Sequence, residues 1–80
     1  MNVMDKLTEI FRETFDDASI QIDRATTADD VEGWDSVSHV HLILAVERTF
    51  DLRFRAAEIG GLENVGDLAD LVEQHLAKAT

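Results

Sequence analysis

Apolar residues recur at intervals of three and four in separate stretches of the chain. Val3, Leu7, Ile10, Phe11 and Phe15 form the first set, and their spacing predicts an amphipathic helix over residues 3–16. Asn2 stands where an N-cap belongs, and Asp5 falls in the first turn, where a carboxylate suits the helix dipole. Asp16 and Asp17 oppose the dipole at the other end, so the helix is expected to stop there.

Residues 17–34 lose this period. Ile20 and Ile22 alternate with polar neighbours, but the stretch is too short and isolated to build a sheet. A long loop is expected, pinned by Ile20, Ile22 and Val31. Loops beyond about 12–15 residues are uncommon in compact domains and often functional. A long crossover also frees the next helix to run in a direction that a tight turn forbids.

The second periodic set spans residues 36–50, "SVSHVHLILAVERTF". Val37, Val40, Leu42, Ile43, Leu44, Ala45, Val46 and Phe50, at about 100° per residue, wrap most of the circumference. Such a helix is expected to be central and buried. One sector stays polar, with Ser38, His41, Arg48 and Thr49; Val37 and Leu44 border it, so these two apolar residues are expected to be partly exposed close to Ser36. Leu52 and Phe54 then return to the core. "RAAEIGG" suggests one or two helical turns ended by Gly60 and Gly61. Asn64 is placed to cap a last helix over about 65–78, with Asp67 in its first turn and Val65, Leu68, Val72 and Leu76 in one stripe broadened by Leu71. His75 and Lys78 suit its C-terminal dipole. The fold expected over residues 1–80 is a single all-α domain: a small four-helix bundle with a short third helix and a long loop between helices 1 and 2.

Composition narrows the chemistry. The chain has 80 residues, 45% of them hydrophobic, and no cysteine or proline. A domain of this size buries only roughly 60% of the surface its unfolded chain exposes, which leaves little room for a deep catalytic cleft. Any bound apolar chain would have to slip between the second helix and its neighbours, near Val40, Val46, Phe54 and Leu62, or remain in solvent. Without cysteine there is no disulfide and no thiolate metal site, and any thiol must come from a bound group. No apolar run approaches the roughly 18 residues of a membrane span, and the start lacks the order of a signal peptide. A cytoplasmic location is expected. Seventeen acidic against seven basic residues give a formal net charge of -10. Phosphates would be repelled, which argues against nucleic acid and anionic membranes as partners. Basic protein surfaces are the expected targets, met by the chain as a monomer.

The chemistry converges on "GWDSV", residues 33–37. Four roles are open to Ser36. It can sit in the first turn of a helix capped by Asp35, which explains both residues without any function. It can be a nucleophile with His39 one turn along, but "GWDSV" is not the G-x-S-x-G elbow, and no sheet is expected to hold one. It can neighbour a metal site, but His39 and His41 are two residues apart on a helix and point to different faces, so no metal ligand set is expected. Or it can carry a group, since a serine at a helix start is exposed and the positive end of the helix suits a phosphate.

On this last point the chain resembles a family. "DSVSHVHLILAVERTFDL" is similar to the prosthetic-group segment of acyl carrier proteins, with Asp35, Ser36 and Val37 in place of Asp-Ser-Leu, then Val40, Leu42, Ala45, Val46, Glu47 and Phe50. "LTEIFRETF" fits the first helix of that family and "LENVGDLADLVEQHL" the last. The resemblance implies that Ser36 carries 4′-phosphopantetheine from coenzyme A, that Asp35 helps hold the metal ion of the transferase, and that the protein is a carrier rather than an enzyme. It implies a phosphopantetheinyl transferase and acyl-loading and acyl-using enzymes (ligase, acyltransferase, ketosynthase) as partners, met by Val37, His41, Leu44, Glu47 and Arg48. Three departures stand out. Val37 replaces the common leucine. Trp34 precedes Asp35, as in some free-standing carriers of specialised pathways. His41 and Arg48 stand in a sector that is rich in glutamates in fatty-acid carriers. A discrete carrier of a polyketide, secondary-metabolite or other dedicated acyl pathway is therefore expected. The housekeeping fatty-acid carrier, the peptidyl or aminoacyl carrier, and a helical interaction domain without a prosthetic group are the alternatives.

Overall fold

The computed structural model describes residues 2–78, and its elements are helical: α1 (Val3–Thr14), α2 (Ser36–Phe50), α3 (Ala56–Gly60) and α4 (Val65–Lys78). The expected caps form. Asn2 Oδ1 accepts the Asp5 N–H at 2.8 Å, and Asn64 Oδ1 accepts that of Asp67 at 2.8 Å. α1 ends two residues earlier than its acidic pair suggests. Asp16 adopts the left-handed conformation at φ 50°, and the N–H groups of Asp16 and Asp17 return to the carbonyls of Glu13 and Arg12. This is the usual glycine-type helix stop made with aspartate, whose short polar side chain tolerates that backbone region. Asp51 repeats it after α2, at φ 54°.

α1 packs against both α2 and α4. Leu7, Ile10 and Phe11 of α1 meet Leu42, Ile43 and Val46 of α2 and Val65, Leu68, Ala69 and Val72 of α4 in one core. α2 is not buried all round. Val37 and Leu44, at the border of the polar sector, are 68% and 45% exposed, as their position implies; Val40, 57% exposed, departs from the buried helix expected. The five-residue α3 is too short to cover the outer side of a 15-residue helix, so the apolar ring of α2 splits into a buried face and an open one.

The long loop is folded onto the body. Val31 is buried, and Ile20 and Ile22 pack against the core. Polar ties do as much. Val65 N–H donates to the Thr26 carbonyl at 2.9 Å and Gly66 N–H to that of Arg24 at 2.8 Å. These are among the N–H groups that a helix start leaves without intrahelical partners, so loop carbonyls cap α4. The approach is close: a Cβ on Gly66 would lie 2.8 Å from the Arg24 carbonyl oxygen. Gly→Ala inside a helix ordinarily stabilises by up to about 1 kcal/mol. Here Gly66→Ala is expected to destabilise by about 1–3 kcal/mol, the cost of overpacking. A lowered urea midpoint with unchanged slope would show it, and a raised one would mean the loop yields freely.

Candidate functional site

The start of α2 is built by two residues on either side of Ser36. Asp35 Oδ1 accepts the N–H groups of Val37 at 3.0 Å and Ser38 at 2.9 Å. Ser38 Oγ accepts the Asp35 N–H at 2.7 Å and donates to the Gly33 carbonyl at 2.7 Å. Gly33 sits at φ 88°, a conformation that side chains disfavour, and this turn presents its carbonyl to Ser38. The Ser38 hydroxyl thus has a donor and an acceptor already in place. The N–H groups of Ser38 and Val37 hold the Asp35 carboxyl below the usual carboxylate range, the Ser38 bond contributing most, so it stays ionised at neutral pH. Ser36, between them, is exposed, and its hydroxyl forms no hydrogen bond among the described residues.

Trp34 anchors this turn to the core. Its ring meets Phe11 edge-on at 5.1 Å and lies 6.5 Å from Phe15. Its indole N–H donates to His39 Nδ1 at 3.1 Å. Partial burial holds His39 below the ordinary histidine range, so it is neutral at pH 7. Beside Ser36 opens a groove of about 490 Å³. Trp34, Asp35, Ser36 and His39 form one wall, and Ile59, Leu62 and Leu68 contribute the apolar part. Of the four residues expected around a cargo, only Leu62 lines it. Val46 is sealed in the core and Val40 faces solvent, while Phe54 packs edge-on against His75 at 5.1 Å.

The outward stripe of α2 carries Val37, His41, Leu44 and Arg48, all exposed, with Val40 beside them. Glu47 differs. It is half-buried, and its carboxylate accepts the Phe54 N–H at 2.8 Å, fixing the link to α3. Sequence reasoning assigned His75 to the helix dipole and missed its partner. His75 Nε2 lies 3.0 Å from Glu58 Oε2, which ties α4 to the helix that walls the groove. Glu58 is held below its usual range chiefly by the Arg55 N–H and secondarily by His75. No local sequence signal marks a pair separated by 17 residues.

Residues 5–72 match the model of a family described as a phosphopantetheine attachment site. The chain belongs to the acyl carrier protein family. The solved solution structure of a holo acyl carrier protein from Geobacter metallireducens superposes with a TM-score of 0.91, at 48% sequence identity, over 99% of this chain and 91% of that one. No curated protein matches the chain. Acyl carriers of this fold are not themselves catalytic; transferases and acyl-handling enzymes act on them. The family's covalently attached phosphopantetheine needs an exposed hydroxyl with space beside it, and the start of α2 supplies both. No helix among the described residues is long and apolar enough to cross a membrane.

Proposed function

We propose that Ser36 is the residue that carries 4′-phosphopantetheine, and that the chain is a cytoplasmic carrier in a polyketide, secondary-metabolite or other dedicated acyl pathway. The observation that carries the assignment is the contrast between two hydroxyls two residues apart on the same helix start. Ser38 is held by Asp35 and Gly33, whereas Ser36 is exposed and its hydroxyl unbonded among the described residues. A transferase reaching this turn meets one hydroxyl that it can take without dismantling the helix start.

The chain's own residues have defined parts. Ser36 Oγ attacks phosphorus of the coenzyme A pyrophosphate and loses its proton to a base of the transferase; the bond to the nucleotide phosphate breaks, leaving a phosphodiester on Oγ. Asp35 uses Oδ1 for capping, and its ionised carboxylate keeps Oδ2 for the transferase's metal ion. The positive end of α2 favours the phosphodiester. The arm, once attached, supplies the thiol that holds acyl groups as thioesters. Exposed Arg48 and His41 on the outward stripe support a dedicated pathway over fatty-acid synthesis, because Arg48 puts a positive charge, and His41 an imidazole, where fatty-acid carriers offer glutamates. The relative from Geobacter metallireducens is itself a holo carrier, which supports the loaded state as the working one.

The test is intact mass after incubation with coenzyme A and a broad-specificity transferase, followed by peptide mapping. One phosphopantetheine on the peptide containing Ser36 is expected. An arm on Ser38 or Ser19, or none, would overturn the assignment.

A further inference from the structure

The hydrogen bond between Trp34 and His39 does more than fasten the turn. An indole N–H can only donate. His39 Nδ1, 3.1 Å away, must therefore present its lone pair. In a neutral imidazole the proton then resides on Nε2. The two rings are nearly parallel, at 22° and 6.1 Å between centroids, and Phe11 fixes the indole from the core side. The result is a donor of set tautomer and direction on the wall of the groove beside Ser36.

Nε2 has no hydrogen-bond partner among the described residues. The other polar groups on the groove wall are occupied or separate: Asp35 caps α2 through Oδ1, Asn64 caps α4, and neither Glu63 nor Ser36 bonds the ring. The nitrogen is open to solvent, since no buried side-chain nitrogen or oxygen among the described residues lacks a partner, so a ligand carbonyl takes the place of water on it. Resting on the assignment of the arm to Ser36, we propose that His39, oriented by Trp34, donates from Nε2 to a carbonyl oxygen of the chain that enters this groove, either an amide of the pantetheine arm or the thioester it carries. A neutral donor against the apolar side chains of Ile59, Leu62 and Leu68 suits a neutral carbonyl. A phosphate oxygen would instead favour the imidazolium, whose Nδ1–H would confront the Trp34 N–H.

Side-chain ¹⁵N spectra of His39 test this in three forms of the full chain: apo, holo, and holo acylated with an eight-carbon thioester. The Nε2–H tautomer is expected in all three. A shift of the Nε2–H signal on going from apo to holo identifies an arm amide as the acceptor; a shift only on acylation identifies the thioester. Trp34→Phe is expected to release the tautomer and average the two nitrogens. His39→Phe should accept the arm at Ser36 as the wild type does. Its groove-bound fraction, read from contacts of the arm with Ile59 and Leu62, should fall about fivefold, the equivalent of about 1 kcal/mol for one hydrogen bond. His39→Gln, which keeps a donor, should restore part of it. An unmoved Nε2 signal across the three forms overturns the inference, as does His39 taking up a proton more readily in the holo form, which would make the phosphodiester the acceptor. A chain that gains no arm at Ser36 defeats the underlying assignment; a loaded chain with an unresponsive His39 defeats this inference alone.

Discussion

Ser36→Ala is expected to abolish loading while leaving stability unchanged, and Ser38→Ala to keep loading while lowering stability. The two serines are two residues apart on one helix start, yet the structure gives them different work. Ser36 makes no hydrogen bond among the described residues, so removing its hydroxyl should change stability by no more than about 0.5 kcal/mol, as for most surface substitutions. Ser38 completes the cap, accepting from Asp35 N and donating to the Gly33 carbonyl, and its loss should cost about 1 kcal/mol. For a domain of this size, with roughly 4–12 kcal/mol in hand, Ser38→Ala remains folded and keeps the reacting hydroxyl. Intact mass and thermal melting on the same two preparations give a crossed result: no arm and an unchanged melt for Ser36→Ala, an arm and a lowered melt for Ser38→Ala. Loading of Ser36→Ala would place the arm elsewhere. A large loss of stability in Ser36→Ala would show that its hydroxyl belongs to the cap after all.

Much of this arrangement was legible in the residue pattern, and the reasons differ by element. α2 runs over the 15 residues its period implies, because the Asp-Ser start and the left-handed Asp51 stop both depend on residues next to the helix. Asn2 and Asn64 were readable as caps for the same local reason. The exposure of Val40 was not readable. Val40 has the same side chain as Val46, yet one is 57% exposed and the other fully buried; only the length of α3 and the packing on α1 separate them. Nor could the sequence name the carbonyls of Arg24 and Thr26 as caps of α4, since every residue type has such a group. His39 and His75 show the same limit. Each was placed on the correct helix, but the partners that give them a role, Trp34 across the helix start and Glu58 on α3, are set by the tertiary fold. The site follows this division. Its chemical groups were visible as residue types; the groove and the oriented imidazole arise from packing.

Reversing the exposed charges on α2 is expected to exchange one set of partner enzymes for another. The outward stripe offers an apolar centre, Val37, Val40 and Leu44, with His41 and Arg48 at its edge. Glu47, which sequence reasoning counted with the rim, is engaged with Phe54 N–H, so the charge that a partner meets is set more by Arg48, with His41 adding a second positive charge when it takes a proton. Buried apolar area governs how long a complex lasts, whereas rim charges govern how often it forms and which partners are turned away. An enzyme adapted to glutamates on this stripe presents Lys or Arg and is repelled by Arg48. Fatty-acid synthase enzymes are therefore expected to use the wild-type chain weakly and the double variant His41→Glu, Arg48→Glu better, with association rates rising by about tenfold or more, the lower end of what electrostatic steering achieves. The cognate loading enzyme should respond in the opposite sense. Both effects should shrink as salt rises, because exposed charges are screened over about 8–10 Å at ordinary ionic strength. The variant touches neither Ser36 nor the cap, so an unchanged thermal melt provides the internal control for the fold. Rates for both enzyme sets at low and high salt decide the matter. Opposite, salt-sensitive changes mean that the stripe selects partners by charge; equal losses with both sets mean that recognition rests on the apolar centre and that Arg48 is a solvated surface residue.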